Sequence, residues 1–341
     1  MEASAGRARL GALVFGAMAA EAVFAAAQLR IADVISDGQR SCDDIAAEIG
    51  ALPTALARLL RVLAALELLA EPVPMQFRLT EAGQLLRADQ PDSMLAFVRM
   101  FGDPVMLSAW RELETAIRTG ETPFERIYGT GFFEHLSANP DLSERFNAAM
   151  RQGTAVAARQ VLRHYDFGAF RTVADIGGGD GTLLAAVLVN HPSTRGILYD
   201  TAAGLAQAGA TLAKAGVGDR CEVRTGDFLE AAPPGADLYI VKSVLQDWDD
   251  DNAGTILAHI RAVVPDHGRL LIIEPVLPER VDASAPVTMY LGDLNMLVNL
   301  GGRERTLAEL KRLCEEAHFS TASTIRLAPP VALSMLEATP R

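Results

Sequence analysis

A glycine-rich turn carries the clearest sign of chemistry in this sequence. Four glycines fall within positions 177–181, after an apolar run that ends in Asp175 and Ile176. A second apolar run, Leu183–Asn190, predicts a helix. Glycine has no Cβ, so its backbone can turn sharply and let a ligand lie against it. The segment therefore predicts a buried strand, a tight turn and a helix that bind a nucleotide-type ligand.

Acidic residues after the next two predicted strands narrow the class of ligand. The spacing of the glycines is GxGxG, whereas the dinucleotide fingerprint is GxGxxG. Asp200 could accept hydrogen bonds from both ribose hydroxyls, as also happens in NAD-binding enzymes. Asp227 and Phe228 could place an acid beside an adenine amine and an aromatic ring beside the adenine. Because a P-loop lysine is missing, a nucleoside triphosphate role is disfavoured.

Strands alternating with helices must position these residues from Arg171 onward. The predicted strands are Thr172–Ile176, Gly196–Tyr199, Cys221–Arg224, Asp237–Val241 and Arg269–Glu274. Such alternation predicts a doubly wound parallel sheet. After a helix over Leu307–His318, the runs Ser320–Leu327 and Val331–Glu337 predict an antiparallel hairpin at the sheet edge.

The N-terminal part has a helix-turn-helix pattern followed by a short strand. Ser41–Asp44 has the pattern of a helix N-cap, Pro53–Leu69 carries leucines at helical spacing, and Phe77–Thr80 predicts a β wing. A winged helix could bind DNA or serve dimerisation. The second helix carries two arginines but is otherwise apolar, whereas a helix that reads the major groove needs several polar and basic residues. The pattern therefore favours dimerisation.

Charge and cysteine usage argue against several functions. The net charge of −12 disfavours nucleic acid and anionic membranes as partners, because phosphate binding needs clustered Lys and Arg. Three cysteines without CxxC spacing, and histidines without ligand spacing, predict reduced thiols, no metal site and a cytoplasmic location. The apolar stretch Leu10–Ala27 loosely imitates a signal peptide. Glu21 interrupts it, which favours a helix that packs against a partner helix.

Several stretches resemble the plant-type O-methyltransferases, a family of class I S-adenosylmethionine-dependent enzymes with bacterial members that act on aromatic secondary metabolites. The matching stretches are ADIGGGDGTLL, YD at 199–200, GDF at 226–228, VKSVLQDWDDDNA from Val241, GRLLIIEPVLPE from Gly268 and GDLNMLVNLGGRERT from Gly292. FNAAM at Phe146–Met150 and the winged helix match as well. The resemblance therefore covers nearly the whole chain.

This resemblance implies S-adenosylmethionine as the cofactor and implies which residues hold it. Gly177 would lie against the methionine part, Asp200 would hold the ribose, and Lys242 would reach the cofactor from a strand end. The implied cofactor-binding residues are Asp175, Gly177, Gly179, Asp200, Asp227, Phe228 and Lys242. The implied residues of the substrate pocket are Phe146, Met150, Asp247, Asn295 and Met296. Trp110, Phe132 and Phe133 are either core residues or further pocket residues.

One departure from the family pattern concerns the general base. The family typically has a histidine directly before the Asp-Trp pair, but this chain has Gln246, and an amide cannot accept a proton near neutral pH. The acids that flank that base match at Glu274 and Glu304. They could instead be structural, for example as an ion pair with Arg305. Other candidate bases by residue type are Tyr128, His135 and Asp247, although sequence spacing places none of them near the reacting atoms.

Three functions are compatible with this departure. General-base catalysis contributes typically about 10²–10⁴-fold, and alignment of the reactants about 7–11 kcal/mol. Methyl transfer to an acidic hydroxyl, with Gln246 orienting the acceptor, is therefore the favoured hypothesis. In a second, the bound cation serves electrostatically in a hydroxylation, decarboxylation or rearrangement. In a third, the chain is a DNA-binding regulatory module.

The overall expectation is an α/β protein with three regions. Residues 1–100 are expected to form a mainly α winged-helix dimerisation domain, and residues 101–165 a helical connector that lines the substrate pocket. Residues 166–341 are expected to form a doubly wound, Rossmann-like methyltransferase domain with a terminal antiparallel hairpin. The expected partners are a small aromatic or polyketide-type acceptor and a second copy of the chain, without nucleic acid or membrane.

Overall fold

The computed structural model describes residues 2–281, 285–329 and 331–341. The chain divides into two compact units. The first comprises residues 1–107 and 148–152, and the second comprises residues 108–147 and 153–341. The three-region division with boundaries at residues 100 and 165 stays a prediction.

The first unit combines short helices with a small antiparallel sheet. Its elements are α1 (Glu2–Gln28), α2 (Ile31–Ile35), β1 (Gln39–Ser41), α3 (Cys42–Ile49), α4 (Pro53–Ala65), β2 (Leu69–Val73), β3 (Gln76–Leu79), α5 (Glu81–Gln84) and α6 (Leu95–Phe101). The strand order is β1-β3-β2, so β2 and β3 form the wing. Ile45, Leu60 and Phe77 pack in its core. The winged-helix prediction is confirmed.

The second helix of this motif ends earlier than predicted. Helix α4 stops at Ala65, not at Leu69. Glu67 adopts a left-handed backbone with φ of 60°, which an α-helix cannot contain, and Leu69 already begins β2. The leucine spacing continued past the end of the helix because Leu69 packs into the same core from a strand.

Helix α1 is apolar and much of its surface is exposed. Leu13, Val14 and Phe15 are 69%, 70% and 63% exposed, whereas Ala26, near the end of the helix, is buried in the core of the unit. Residues Ala5–Gln28 are long and apolar enough to cross a membrane. Length and apolar composition alone give the helix this property, and a helix that packs against a partner chain can share it.

The second unit contains a helical segment and a large sheet. Helix α7 (Pro104–Trp110) crosses the division at residue 107. The elements after it are α8 (Leu113–Thr119), α9 (Pro123–Tyr128), α10 (Phe132–Ala138), α11 (Pro140–His164), β4 (Thr172–Ile176), α12 (Thr182–Asn190), β5 (Arg195–Asp200), α13 (Ala208–Lys214), β6 (Cys221–Thr225), β7 (Leu238–Lys242), α14 (Asp250–Val263), β8 (Arg269–Glu274), β9 (Val276–Leu277), α15 (Val287–Asn299), β10 (Arg305–Thr306), α16 (Leu307–Glu316), β11 (Phe319–Arg326) and β12 (Ser334–Pro340).

The large sheet has seven strands in the order β11-β12-β8-β7-β4-β5-β6. Strands β8, β7, β4, β5 and β6 are parallel, and β12 and β11 continue the sheet as an antiparallel hairpin. Helices α14 and α16 pack on one face, and α12 and α13 pack on the other. The doubly wound fold and its hairpin are confirmed, although β12 begins at Ser334 and not at Val331.

The sheet topology brings the predicted site residues to one edge. Parallel strands end at the same edge, where ligands of open α/β sheets bind. Strand β4 ends beside the glycine-rich turn, β5 ends at Asp200, β7 at Lys242 and β8 at Glu274. The turn Leu245–Trp248 follows β7 directly.

A buried arginine and a glycine fix that turn. The Arg305 side chain, 1% exposed, donates to Asp250 Oδ1 at 2.9 Å, to the Leu245 carbonyl at 2.7 Å and to the Trp248 carbonyl at 2.9 Å. Arg305 therefore forms its ion pair with Asp250, whereas Glu274 and Glu304 were the partners suggested for it from the sequence. A Cβ on Gly302 would lie 2.2 Å from the Gln246 carbonyl oxygen. The turn and the Gly302 backbone are in direct contact.

We expect Gly302→Ala to disturb this contact. The neighbouring atoms belong to backbone, so they cannot move aside like a flexible side chain, and the free energy of unfolding should fall by about 1–3 kcal/mol. Gly254→Ala is the matched control, because nothing lies within 4 Å of its added Cβ. Urea unfolding of both variants checks this. Equal stabilities of the wild type and Gly302→Ala would contradict it.

Candidate active site

The glycine-rich turn joins β4 to α12 and presents bare backbone. Gly177, Gly179 and Gly181 have φ values of 66°, 56° and 79°, which other residues rarely adopt. A Cβ on Gly177 would lie 2.5 Å from Val244 Cγ2, so glycine is required there for packing as well. Around Gly179 nothing lies within 4 Å of an added Cβ. The turn is therefore open on the Gly179 side.

The carboxylate of Asp200 lies beside this open side. Its Oδ2 accepts a hydrogen bond from Gly179 N at 2.8 Å, and its Oδ1 accepts one from Thr201 N at 2.6 Å. Burial raises the pKa of Asp200, and these hydrogen bonds oppose that effect. A carboxylate has about four acceptor positions. Oδ1 also accepts a hydrogen bond from Thr201 Oγ1 at 3.3 Å, so Asp200 keeps about one further acceptor position for a hydroxyl donor.

Phe228 connects the glycine-rich turn to the turn that carries Gln246. Its Cε1 lies 3.5 Å from the position of a Cβ on Gly177, and its ring meets Trp248 edge to face at 6.1 Å. Asp227 is exposed, and its Oδ1 accepts a hydrogen bond from Leu229 N at 2.8 Å. An aromatic face and an acceptor therefore stand next to each other at this edge of the sheet.

Lys242 lies among acids at the end of β7. Burial lowers the pKa of Lys242, while Glu274, Asp175 and Asp247 oppose that shift. Burial raises the pKa of Asp175 to about 7, and the charge of Lys242 counteracts part of this. The next residue, Ser243, has a left-handed φ of 52°. Non-glycine residues in such conformations cluster at functional sites.

These residues fit S-adenosylmethionine. The open turn at Gly179 gives room against backbone, Asp200 has free acceptor capacity for a ribose, and Phe228 with Asp227 suits an adenine. A nearby positive charge stabilises the ionised form of a buried acid such as Asp175. A ligand with a sulfonium group brings such a charge.

Glu274 and Glu304 are buried, and Glu304 lines a cavity of about 440 Å³ beside α15. Glu274 Oε1 accepts hydrogen bonds from Val244 N at 2.9 Å and Leu245 N at 3.0 Å. Its Oε2 and the Oε2 of Glu304 are buried without a hydrogen-bond partner. Burial raises the pKa of Glu274 to about 7. Burial, Asp293 and Glu274 together raise the pKa of Glu304 to about 8.

Gln246 and Asp247 are neighbours on the turn. Gln246 Oε1 is buried without a hydrogen-bond partner. Burial raises the pKa of Asp247 well above its usual range, and Glu274 adds to this effect. Asp247 is nevertheless partly exposed, unlike Glu274 and Glu304.

Asn295 has a fixed orientation that sequence reasoning did not find. Its Oδ1 accepts hydrogen bonds from Trp110 Nε1 at 3.1 Å and Asn299 Nδ2 at 2.9 Å. An indole N–H can only donate, so the Asn295 oxygen must face Trp110, and its Nδ2 is left as a donor. The asparagines four residues apart on α15 were a signal for such a pair. Trp110 was the unrecognised partner.

The predicted aromatic residues form a ring cluster. Phe133 stacks on Trp248 at 6.2 Å, and Phe146 meets Phe132 at 5.4 Å and Phe133 at 6.3 Å. Phe132 and Met296 are buried. Met150 belongs to the first unit, and its place in the pocket stays a prediction.

The other candidate bases pack at Phe124, which itself contacts Phe132 of the ring cluster at 5.2 Å. The Tyr128 and His135 rings are 4.7 Å apart, and both pack against Phe124. Tyr128 Oη is 3.0 Å from Ser108 Oγ. These contacts give both side chains a packing role.

We expect Glu304 to make stability depend on pH. Its folded pKa of about 8 is raised above the unfolded value of about 4.3, so the folded chain holds this proton more tightly. The resulting destabilisation is absent below the unfolded pKa and grows as pH rises toward the folded one.

Glu304→Gln should therefore reduce the loss of stability between about pH 5 and 8, by up to about 1.4 kcal/mol per unit of pKa difference. Urea unfolding of the cofactor-free protein across this range measures it. Glu144→Gln, which changes an exposed glutamate on α11, is the control. The same pH dependence in Glu304→Gln and in wild type would contradict the prediction.

Two family models match this chain. The O-methyltransferase domain matches residues 110–320, and the O-methyltransferase dimerisation domain matches residues 12–89. The second match gives no support to the DNA-binding alternative, because it describes the winged-helix region as a dimerisation domain. The predicted methyltransferase class and cofactor are confirmed.

Relatives and solved structures agree with these matches. The O-demethylpuromycin-O-methyltransferase of Streptomyces alboniger is 44% identical over 335 residues, which cover 97% of this chain and 89% of the relative. The crystal structure of LaPhzM superposes with a TM-score of 0.91 at 38% identity and covers 98% of this chain and 99% of its own. NcsB1 from neocarzinostatin biosynthesis, in complex with S-adenosylmethionine and 2-hydroxy-5-methyl naphthoic acid, has a TM-score of 0.80 at 33% identity, with 94% and 96% covered. The chain belongs to the S-adenosylmethionine-dependent O-methyltransferase family.

Proposed function

We propose that this methyltransferase acts on the hydroxyl group of a small aromatic or polyketide-type secondary metabolite. The observation that carries the proposal is the ring cluster of Phe133, Phe146 and Trp248 beside the turn that bears Gln246 and Asp247. Flat aromatic molecules pack favourably against such rings. The complex of NcsB1 with a naphthoic acid supports the same class of acceptor.

We assign the cofactor to the edge of the sheet where β4, β5 and β7 end. Gly177 and Gly179 give it room, Asp200 accepts from a ribose hydroxyl, and Asp227 with Phe228 receives the adenine. Lys242 completes this group from the end of β7, beside Asp175. S-adenosylmethionine, when bound, supplies an electrophilic methyl group on a positively charged sulfur.

Asn295 and Gln246 orient the acceptor in this proposal. The Asn295 amide keeps an N–H group free because Trp110 and Asn299 occupy its oxygen. An acceptor oxygen could receive this hydrogen bond. Met296 and Phe146 contribute to the apolar remainder of the pocket. Glu274 supports the turn through two backbone N–H groups.

Labelled methyl transfer tests the function. We expect wild type, incubated with methyl-labelled S-adenosylmethionine and a panel of phenols, naphthols and hydroxyphenazines, to label at least one acceptor.

Asp200→Asn should weaken cofactor binding by about 10- to 100-fold, because hydrogen bonds to a charged group contribute about 1.5–3 kcal/mol. Equilibrium dialysis measures that binding.

Asp219→Asn is the matched control, because Asp219 is exposed in the turn before β6. It should bind the cofactor like wild type. Tight cofactor binding without label on any acceptor would contradict the proposal. A modified product formed without one equivalent of S-adenosylhomocysteine would indicate the non-methylating alternative.

We also propose that the chain forms a homodimer through α1. The matched dimerisation domain includes most of this helix. Leu13, Val14 and Phe15 are each more than 60% exposed, and Leu10 and Met18 extend the same apolar surface. Exposed apolar patches of this kind mark association surfaces. The cytoplasmic location stays a prediction.

We expect Val14→Glu to weaken the dimer, because a buried and unpaired carboxylate in an interface is costly. Light scattering after size exclusion should show a dimer for wild type and a monomer at low micromolar concentration for the variant. Ile117→Glu, on α8, is the control, because Ile117 is 64% exposed but lies outside α1. A dimer of unchanged stability in Val14→Glu would refute the assignment of α1.

A further inference from the structure

We propose that Trp110 is a positioning residue, whose indole N–H group fixes the Asn295 amide so that Asn295 offers a bound acceptor a hydrogen-bond donor. The molecule that fits this donor is an aromatic compound whose reacting oxygen is ionised, such as a phenol made acidic by a carbonyl or nitro group. This inference rests on the proposed methyl transfer to a hydroxyl group.

Two donors occupy the side-chain oxygen of Asn295. Trp110 Nε1 donates to Asn295 Oδ1 at 3.1 Å, and Asn299 Nδ2 donates to the same oxygen at 2.9 Å. Asn295 is 6% exposed and Asn299 is fully buried, so bulk water does not compete for these hydrogen bonds. An amide oxygen has two lone pairs, and both are therefore used.

The indole of Trp110 decides which way the two amides point. An asparagine side chain carries a donor and an acceptor, so two facing asparagines can hydrogen-bond in either of two orientations. Asn295 and Asn299 alone would thus leave open whether Asn295 presents its oxygen or its N–H groups to a ligand. An indole N–H can only donate. Trp110 therefore selects the orientation in which the Asn295 oxygen is used internally and the N–H groups remain.

The Nδ2 atom of Asn295 is the donor that remains for another partner. Among the described residues, no protein atom accepts a hydrogen bond from it. Their polar atoms that are buried without a partner include Asn299 Oδ1, Gln246 Oε1 and Glu304 Oε2, but not Asn295 Nδ2. A bound molecule can therefore reach this donor, whereas protein atoms enclose the other three.

Packing of α15 brings this donor to the proposed acceptor site. Gly292 lies on the same side of the helix as Asn295, one turn earlier, and a Cβ on Gly292 would lie 2.6 Å from Glu304 Oε1. Gly302, two residues before Glu304, touches the backbone of Gln246.

The helical segment on the other flank of α15 carries the aromatic rings. Helix α15 packs against α9, whose Phe124 meets Phe132 of the ring cluster at 5.2 Å. Tyr290, Leu294 and Leu297, which line the cavity of about 440 Å³, belong to the opposite side of α15 from Asn295. The side of the helix that bears Asn295 is therefore the one between the ring cluster and the turn.

An acceptor oxygen that is already ionised fits both this donor and the missing base. Gln246 cannot take a proton, but an ionised oxygen has already lost its proton to solvent. Its electron pair forms the new O–CH3 bond, while the pair of the broken S–CH3 bond stays on sulfur. Hydrogen bonds to a charged oxygen are stronger than those to a neutral hydroxyl, so the Asn295 N–H group favours the ionised form.

Ligand binding to the complex with S-adenosylhomocysteine tests the orientation of the amide. Ionised 4-nitro-1-naphthol presents an oxygen that accepts hydrogen bonds, whereas 4-nitro-1-naphthylamine presents N–H groups that donate them. Trp110→Phe should weaken binding of the naphthol by about 3- to 10-fold. It should not weaken binding of the amine, because the released amide can turn its oxygen toward that ligand. Titration calorimetry measures both affinities, and a loss of packing alone would weaken both ligands equally.

A double-mutant cycle on kcat/KM for the nitronaphthol tests whether Trp110 acts through Asn295. Asn295→Ala should lower kcat/KM by about 10- to 100-fold, because it removes a hydrogen bond to a charged oxygen. Trp110→Phe should lower it by about 3- to 10-fold, and the double variant should lose no more than Asn295→Ala alone.

Two further variants complete this experiment. Asn295→Asp keeps an oxygen for Trp110 but has no N–H group, so it should lose at least as much kcat/KM as Asn295→Ala. Tyr165→Phe is the matched control, because it removes an aromatic donor outside the site, the one to Glu337 Oε2 at 2.6 Å, and should keep the wild-type value. Cofactor binding by each variant, measured by dialysis, shows whether it is folded.

The possible results distinguish this inference from the proposed function. If wild type labels no acceptor, the proposed function fails and the inference fails with it. If wild type labels acceptors but does not bind the nitronaphthol, or if folded Trp110→Phe binds both ligands like wild type or weakens both equally, the inference alone is overturned. Additive losses in the double variant, or a wild-type kcat/KM in Asn295→Asp, would overturn it as well.

Discussion

The contact of Arg305 and Gly302 with one turn is the constraint on which the site depends. The Arg305 guanidinium is buried, so each of its donors needs an acceptor, and two of these acceptors are carbonyls of the turn Leu245–Trp248. Gly302 allows the two backbones to touch. The turn carries Gln246 and Asp247, and therefore the positions of the chemically important side chains follow from packing that lies behind them.

A second constraint is the concentration of acids at the sheet edge. Asp175, Asp247 and Glu274 surround Lys242, and burial raises the pKa of each acid. Lys242 alone balances only part of the negative charge that these acids would carry when ionised. A cationic ligand supplies the missing charge, and a ligand that binds the folded state alone stabilises it by mass action. Cofactor affinity and the instability of the empty site thus have the same electrostatic origin.

Local sequence signals predicted the elements of the fold, whereas contacts between distant residues could not be predicted. Strands β4 and β8 have the predicted bounds because buried parallel strands are continuous apolar runs between turn residues. Asp200 was found because it ends such a strand. The hydrogen bond from Trp110 to Asn295 spans 185 positions, and the contact of Gly302 with Gln246 depends on packing. No local pattern in the sequence records either contact.

The replacement of histidine by glutamine has a consequence that goes beyond the loss of a base. Histidine needs an acid behind it, because its protonated ring is stabilised by a carboxylate. Glutamine never becomes charged, so Glu274 and Glu304 have no cation to stabilise on the turn, and their buried oxygens are left unpartnered. Alignment of the acceptor with the cofactor, worth about 7–11 kcal/mol, can then carry the reaction when the hydroxyl is already acidic.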